Sequence, residues 1–356
     1  MTPQARRPTP IRPAGHAIQT VERRSGKHWL RNSLIGLLSI VIIVVCAVFF
    51  WISWNLNVPV GGGAQVVDIK PNTSISDIAK QLKQVGLIRD EAIFSVYSKL
   101  GPARGILKPG PYQLKGSMSM VQIVDYISAG KIAVVNFVVK DGSTMTEIAD
   151  SYAAQGLGSS QEFKEALAAA QLPVAVQARF GAPKTLEGFL LADTYQVVIN
   201  DSAFMVVQKL LANFETKALP LFSANLPGNL TPNQTLTLAS IVEKEASLPA
   251  DRAGVADVFY NRLRLGMKLE SDVTVIYLTG RREPTAADLR IDSPYNTRRY
   301  AGLPPGPINS PSIGSIVATI QPAKTANLFF IGGTDGKVYY AQTYAEHNEN
   351  IRKYIK

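Results

Sequence analysis

One cysteine and three histidines are all that 356 residues offer of the softer ligands and nucleophiles. A lone cysteine closes no internal disulfide, and zinc sites of several cysteines, iron–sulfur clusters and thiol redox pairs are excluded with it. His16 and His28 precede the long apolar run described below, so the remainder of the chain owns a single imidazole, His347. A Ser-His-Asp arrangement would have to pass through that residue, and no G-x-S-x-G elbow accompanies it. A P-loop, a G-x-G-x-x-G after a strand and an H-E-x-x-H pair are also missing. Acid–base work therefore falls to carboxylates, and no cofactor and no metal is expected.

What is present is apolar material, 46% of the chain, enough for real cores in one to three domains. One run stands out. Leu34–Trp54, LIGLLSIVIIVVCAVFFWISW, has no charge and no Pro, Asn or Gln. As a helix its 21 residues would cover about 31 Å, the thickness of a bilayer's hydrocarbon, with Trp51 and Trp54 as an aromatic belt at one end. Cleaved leaders have apolar cores of roughly 7 to 15 residues, so the run reads as an uncleaved anchor. Cys46 lies within it and is expected to face lipid.

The flanks orient the anchor. Residues 1–33 carry seven Arg and Lys against Glu22 alone, which keeps that side cytoplasmic. The C-terminal 300 residues are then exported, to the periplasmic side of an inner membrane, as a single-pass protein. Six of the net +10 charges belong to the tail, leaving 30 basic and 26 acidic residues beyond it, a balance that gives no argument for nucleic acid. The tail, rich in Pro and Arg, reads as disordered.

The expected organisation is a tail at 1–33, a transmembrane helix at 34–54, a Pro/Gly linker at 55–64, a small module at 65–131 and a larger α+β domain at 132–356. The fold class is α+β throughout. A unit recurs: Val67–Ala79 aligns without gaps on Phe137–Ala149, each a short strand, a turn and a helix start. Ser74 and Thr144 read as N-caps, and Glu147 completes a capping box. The small module, with helices near Ile78–Val85 and Glu91–Leu100 between strands, resembles a LysM-like carbohydrate-binding domain; a packing spacer is the alternative. Further on, helices are expected over Ser160–Gln171 and Asp201–Glu215. Another begins at Thr231, with Pro232 in its first turn, Gln234 closing the box and Pro249 ending it. Asn327–Ile331 and Lys337–Ala341 read as a hairpin, and His347-Asn348 as a cap on the last helix.

On a helical wheel Leu238, Ala239, Ile241, Val242 and Ala246 share one arc, and Glu245 falls inside it. A carboxyl among aliphatic neighbours has its charged form desolvated, which raises its pKa and keeps the proton a general acid needs. Glu243 lies at the arc's edge and Lys244 faces solvent. A buried ion pair of Glu245 with Arg252 or Arg262 is the competing reading, and the pattern alone leaves both open.

Leu238–Ala246 (LASIVEKEA), Val258–Leu263, Leu269–Tyr277, Ser293–Thr297 and Gly302–Ile308, with Leu186–Tyr195 upstream, together resemble the MltG (YceG-like) endolytic murein transglycosylase family. Glu270, Val273 and Ala192 depart from its more usual Gln, Pro and Pro. The resemblance implies cleavage of the β-1,4 bond between N-acetylmuramic acid and N-acetylglucosamine of nascent peptidoglycan strands. It implies 1,6-anhydro ends and a role as strand terminator, with Glu245 as acid/base and Glu243 as second choice. It also implies a cleft in which Glu187, Asp193, Tyr195, Asp272, Tyr277, Tyr295 and Asn296 hold substrate, each with a turn or core role as its alternative. Partners implied are glycan strands, the membrane and the synthases that extend the strands. Two other classes stay open: a non-catalytic protein that binds peptidoglycan or a wall synthase, and a hydrolase with Glu187 or Asp272 as second carboxylate.

Overall fold

The apolar run folds as part of one continuous helix, α1 (Gly26–Asn57), whose side chains over Leu34–Ile52 are exposed. It is long and apolar enough to cross a membrane by length and composition. The computed structural model describes residues 26–102, 105–222 and 225–355, so most of the expected basic tail lies outside the described residues.

The chain divides into two compact units, one ending at Pro109 and resuming over Leu114–Gly130, the other Gly110–Gln113 with the chain from Lys131 on. The first holds α1, strand β1 (Ala64–Ile69), helices α2 (Ile75–Gln84) and α3 (Glu91–Leu100), and α4 (Met120–Ala129). β1 pairs with β2 (Gly110–Lys115), so the order is the βααβ expected of a LysM-like module, followed by one more helix. Ser74 and Asp90 cap α2 and α3 by accepting from backbone N–H groups three residues on. Ile69, Ile78, Leu82, Phe94, Ile123 and Ile127 fill its core.

In the second unit β3 (Val134–Val139) pairs antiparallel with β4 (Asp193–Val198), Phe137 opposite Tyr195. The connection between them carries α5 (Met145–Ala154), α6 (Ser160–Ala169) and α7 (Val174–Phe180), and α8 (Ala203–Lys217) follows β4. These pack around Phe137, Tyr152, Phe163, Phe189 and Phe214, rings that meet edge-on or tilted at 4.9 to 6.2 Å.

The helix that carries the acidic pair, α9 (Pro232–Glu245), is buried without interruption from Thr235 to Val242. Such a helix is central, and the unit's two apolar clusters meet on it: Leu236 and Ala239 belong to one, Leu238, Ile241 and Val242 to the other. Thr231 and Gln234 make the expected reciprocal box. The helix stops at Glu245, four residues before Pro249. Ala246 is already extended, and Leu248 is pushed to extended backbone ahead of Pro249, which opens a short 3-10 turn. Next come α10 (Arg252–Arg264), α11 (Asp272–Thr279) and α12 (Ile313–Ile320), then the hairpin of β5 (Phe329–Gly332) and β6 (Val338–Ala341) and the final helix α13 (Tyr344–Tyr354). The cap of α13 is Thr343 with Glu346, so His347 is not a cap; it lies inside the helix, stacked on Phe329.

Candidate active site

Glu245 occupies the last turn of α9, partly exposed at the rim of the cluster made by Leu238, Ile241, Val242 and Leu269. Desolvation holds its carboxyl above the usual range; the Ser271 hydroxyl works against the shift, and the Asp272 charge adds to it. Its place at the helix C-terminus, where unpaired carbonyls gather negative partial charge, favours the protonated form as well. Among the described residues no ion pair includes it, so the competing pairing with Arg252 or Arg262 does not form. Its hydrogen bond comes from Ser271 Oγ, 2.6 Å from Oε1.

Ser271 is the N-cap of α11, yet its hydroxyl makes no bond to its own helix. The side chain that ordinarily satisfies a helix N-terminus is here turned to the glutamate. Its backbone is held by Thr297, whose hydroxyl accepts from Ser271 N at 3.1 Å and lies 3.0 Å from the Thr274 hydroxyl, all buried. The preceding residue, Glu270, adopts a left-handed φ of 54°, uncommon for a residue with a side chain. Arg262 braces it, pairing with Glu270 at 3.2 Å and donating to the carbonyls of Leu269 and Leu328. Asp272 pairs with Arg298, and both lie close enough to act on the Glu245 charge.

Glu243 points elsewhere. Its Oε1 accepts from Arg252 at 3.1 Å, and its Oε2 takes both the Ser312 backbone N–H, at 2.9 Å, and the Ser312 hydroxyl, at 2.6 Å. The carboxylate so fixed locks α9 to α10 and to the start of α12. The turn of the second sequence repeat rests here too, with Gly142 N–H on Ser310 O at 2.9 Å.

Glu187 sits in a second polar cluster. Buried, it accepts from Met145 N at 3.0 and 3.3 Å, anchoring the first turn of α5, and lies 3.5 Å from the Tyr277 hydroxyl. Burial raises its carboxyl to about 7. Tyr277 and Tyr295 lie with ring centres 5.4 Å apart, both partly exposed. Because the N-cap serine of α11 bonds Glu245 and Tyr277 follows six residues later, α11 joins the two clusters across a rise of about 9 Å. Gly188 lies close to Pro307: with φ of 88°, a Cβ there would meet the ring at 2.6 Å.

Other expected substrate contacts lie in different surroundings. Tyr195 is enclosed in the core, with its hydroxyl donating to Leu191 O and accepting from Asn213, so no ring face is free for a sugar. Asn296 is fully buried, spending its amide on Leu289 O and Ile291 O and its carbonyl oxygen on Arg298 N. Asp193 is tied to Lys217 and Asn213 on α8. The sequence reading missed Ser271, Thr297 and Arg298. Its one usable signal was Ser-Asp at a helix start, which reads as an ordinary cap. Among the described residues no group of three or more His, Cys, Asp or Glu side chains is placed to hold a metal ion.

Residues 67–353 match the YceG-like family. An endolytic murein transglycosylase of Streptococcus pneumoniae is 32% identical over 325 residues, 81% of this chain and 58% of its own length. The chain thus spans little more than half of that relative. The endolytic murein transglycosylase of Bacillus subtilis is 31% identical over 316 residues, 85% of this chain and 84% of its own. A crystal structure of a YceG-like protein from Listeria monocytogenes superposes with a TM-score of 0.50 at 32% identity, covering 80% of this chain and 98% of that one. With the match running along most of the sequence, the chain belongs to the YceG-like family.

Proposed function

We propose that this protein is a membrane-anchored endolytic lytic transglycosylase that cuts the MurNAc-β-1,4-GlcNAc bond of nascent peptidoglycan and leaves 1,6-anhydro ends. The observation that carries the reading is the contrast within α9. Glu243 is consumed by an arginine and a helix start, whereas Glu245 is desolvated, in no ion pair among the described residues, and held by one hydroxyl. The names of the curated relatives supply the substrate.

One carboxyl suffices for such a reaction. Protonated Glu245 gives its proton to the bridging oxygen as the bond to the muramyl anomeric carbon breaks and positive charge builds there. The resulting carboxylate, with Ser271 donating to it, takes the proton of the muramyl C6 hydroxyl while that oxygen closes on the anomeric carbon. The acid is restored, no water is consumed, and the product is an anhydro sugar. Tyr277 and Tyr295 are the aromatic faces available to a sugar, and Asp272 with Arg298 the polar pair beside the acid. Anchoring by α1 restricts the site to glycan near the membrane, with strand termination as the consequence and the synthases that extend those strands as partners. The basic flank supports an N-terminus in the cytoplasm and a catalytic domain in the periplasm.

Incubating the full chain in detergent with uncrosslinked glycan and weighing the products separates the classes. Anhydro ends that vanish with Glu245→Gln support the proposal. Reducing ends would make the protein a hydrolase, and intact glycan a binding protein.

A further inference from the structure

The first unit carries a feature that glycan chemistry does not use. Helix α3 has two apolar faces. Phe94, with Ser98, is fully buried in the module. On the other flank Ile93, Val96, Tyr97 and Leu100, spaced i, i+3, i+4 and i+7, form a second stripe, with Val96 57% and Leu100 83% exposed. Burial inside the module accounts for the first face and leaves the second unpartnered. It lines a groove of about 440 Å³ whose opposite wall is Trp51, Ile52 and Leu56 of α1.

The groove's depth follows from that wall. Trp51 stands three residues, about 4.5 Å, inside the end of the apolar run at Trp54. Any element packed on it lies at the boundary between hydrocarbon and headgroups once α1 spans a bilayer. Nor can α3 swing away. The segment after α1, which its Pro/Gly composition presents as a loose linker, is fastened at both ends. Arg89, just before α3, donates through Nη1 and Nη2 to Val58 O and Pro59 O, each at 2.6 Å. Beyond, Gly61 N–H bonds Gly116 O at 2.9 Å and Gly116 N–H bonds Gly63 O at 3.2 Å. The backbones are so close that a Cβ on Gly116 would come within 2.4 Å of Gly61 O.

We propose that α3 is a second membrane contact, lying in the headgroup region of the exported leaflet with lipid acyl chains filling the groove against α1. The membrane-proximal module is then seated on the bilayer at a fixed height. This rests on the reading of α1 as a transmembrane anchor. The occupant is lipid because the stripe is continuous with the lipid-facing helix and sits at the depth where amphipathic helices bury their apolar faces.

The single native cysteine makes the test direct. The full chain is reconstituted in vesicles of phosphatidylethanolamine and phosphatidylglycerol and spin-labelled at one site at a time: at Cys46, or, in a Cys46→Ala background, at Val96→Cys, Leu100→Cys or Lys80→Cys. Lys80 is exposed on α2 and serves as the aqueous reference. Collision rates with oxygen and with a water-soluble nickel chelate report depth. Labels at 96 and 100 are expected to show an oxygen-to-nickel ratio several-fold above that at 80 and below that at 46. A ratio at 96 or 100 equal to that at 80, with 46 in lipid, overturns the α3 contact and leaves the anchor standing. Collisions with both reagents suppressed at 96 and 100 would mean a protein occupant, which also overturns it. A label at 46 as wet as that at 80 removes the anchor reading itself.

Discussion

Replacing Ser271 by alanine deletes the side chain that donates to Glu245 and leaves the apolar wall in place. A hydrogen bond to a charged partner contributes about 1.5–3 kcal/mol, which is about a ten- to a hundredfold change in proton affinity. The site is open enough for water to replace part of the bond, so the lower end is expected. The sign is fixed by chemistry. The hydroxyl stabilises the carboxylate, so its loss makes Glu245 hold its proton to higher pH. Because cleavage begins from the protonated acid, the alkaline limb of the pH–rate profile should move upward. At a pH on that limb the variant should outperform the wild type, although its plateau is lower because the carboxyl is less well oriented. Ser271→Thr, which keeps a hydroxyl, should return the limb toward the wild-type position. The assay is the initial rate of anhydro-muropeptide release across pH. An alkaline limb that stays put or moves down, with cleavage intact, would refute the assignment of Glu245 as the acid.

Burial holds the Glu187 carboxyl at about 7 against an ordinary 4.5, so the folded state binds more protons than the unfolded one between those values. Stability should fall as pH rises through that window, by roughly 3 kcal/mol once above it. Glu187→Gln should flatten the dependence and be the more stable protein at alkaline pH, less whatever the weaker bond to Met145 N–H costs. Denaturant midpoints of both proteins against pH check this. Glu243→Ala breaks a pair whose side chains are 6% and 15% exposed, a loss of about 3–5 kcal/mol. The fraction still folded should continue to make anhydro ends; folded but inactive protein would return the acid role to Glu243. Gly188→Ala meets both a positive φ and the Pro307 ring, so a loss of about 2–4 kcal/mol is expected in thermal unfolding.

The elements legible in the sequence are those whose causes are local. Thr144 with Glu147 and Thr231 with Gln234 declare their helices within four residues, and both boxes form. The βααβ order follows from turn residues and short apolar runs for the same reason. The site is less legible because its bonds span long stretches of chain: 26 residues from Glu245 to Ser271, 69 from Glu243 to Ser312, 90 from Glu187 to Tyr277. Residue type also cannot sense enclosure. Tyr195 and Asn296 have the chemistry to hold a sugar, but a buried polar atom must find a partner, and backbone carbonyls nearby take both. The segment 55–64 shows the converse: its composition reads as a linker, and Arg89 ties two of its carbonyls from about thirty residues away.

The two glutamates of α9 show how far a local rule reaches. Residues two apart on a helix project about 200° from one another, so a wheel already states that Glu243 and Glu245 face different neighbours. Which neighbours they meet is a matter of tertiary structure. Arg252, at the start of α10, pairs with Glu243. The other carboxyl, in no ion pair among the described residues, sits at the negative end of a helix against an aliphatic wall, and both influences act to keep its proton. The ion pair and the proton donor thus occupy separate surroundings on one helix, so removing Glu243 should cost stability and leave the acid's own partner in place.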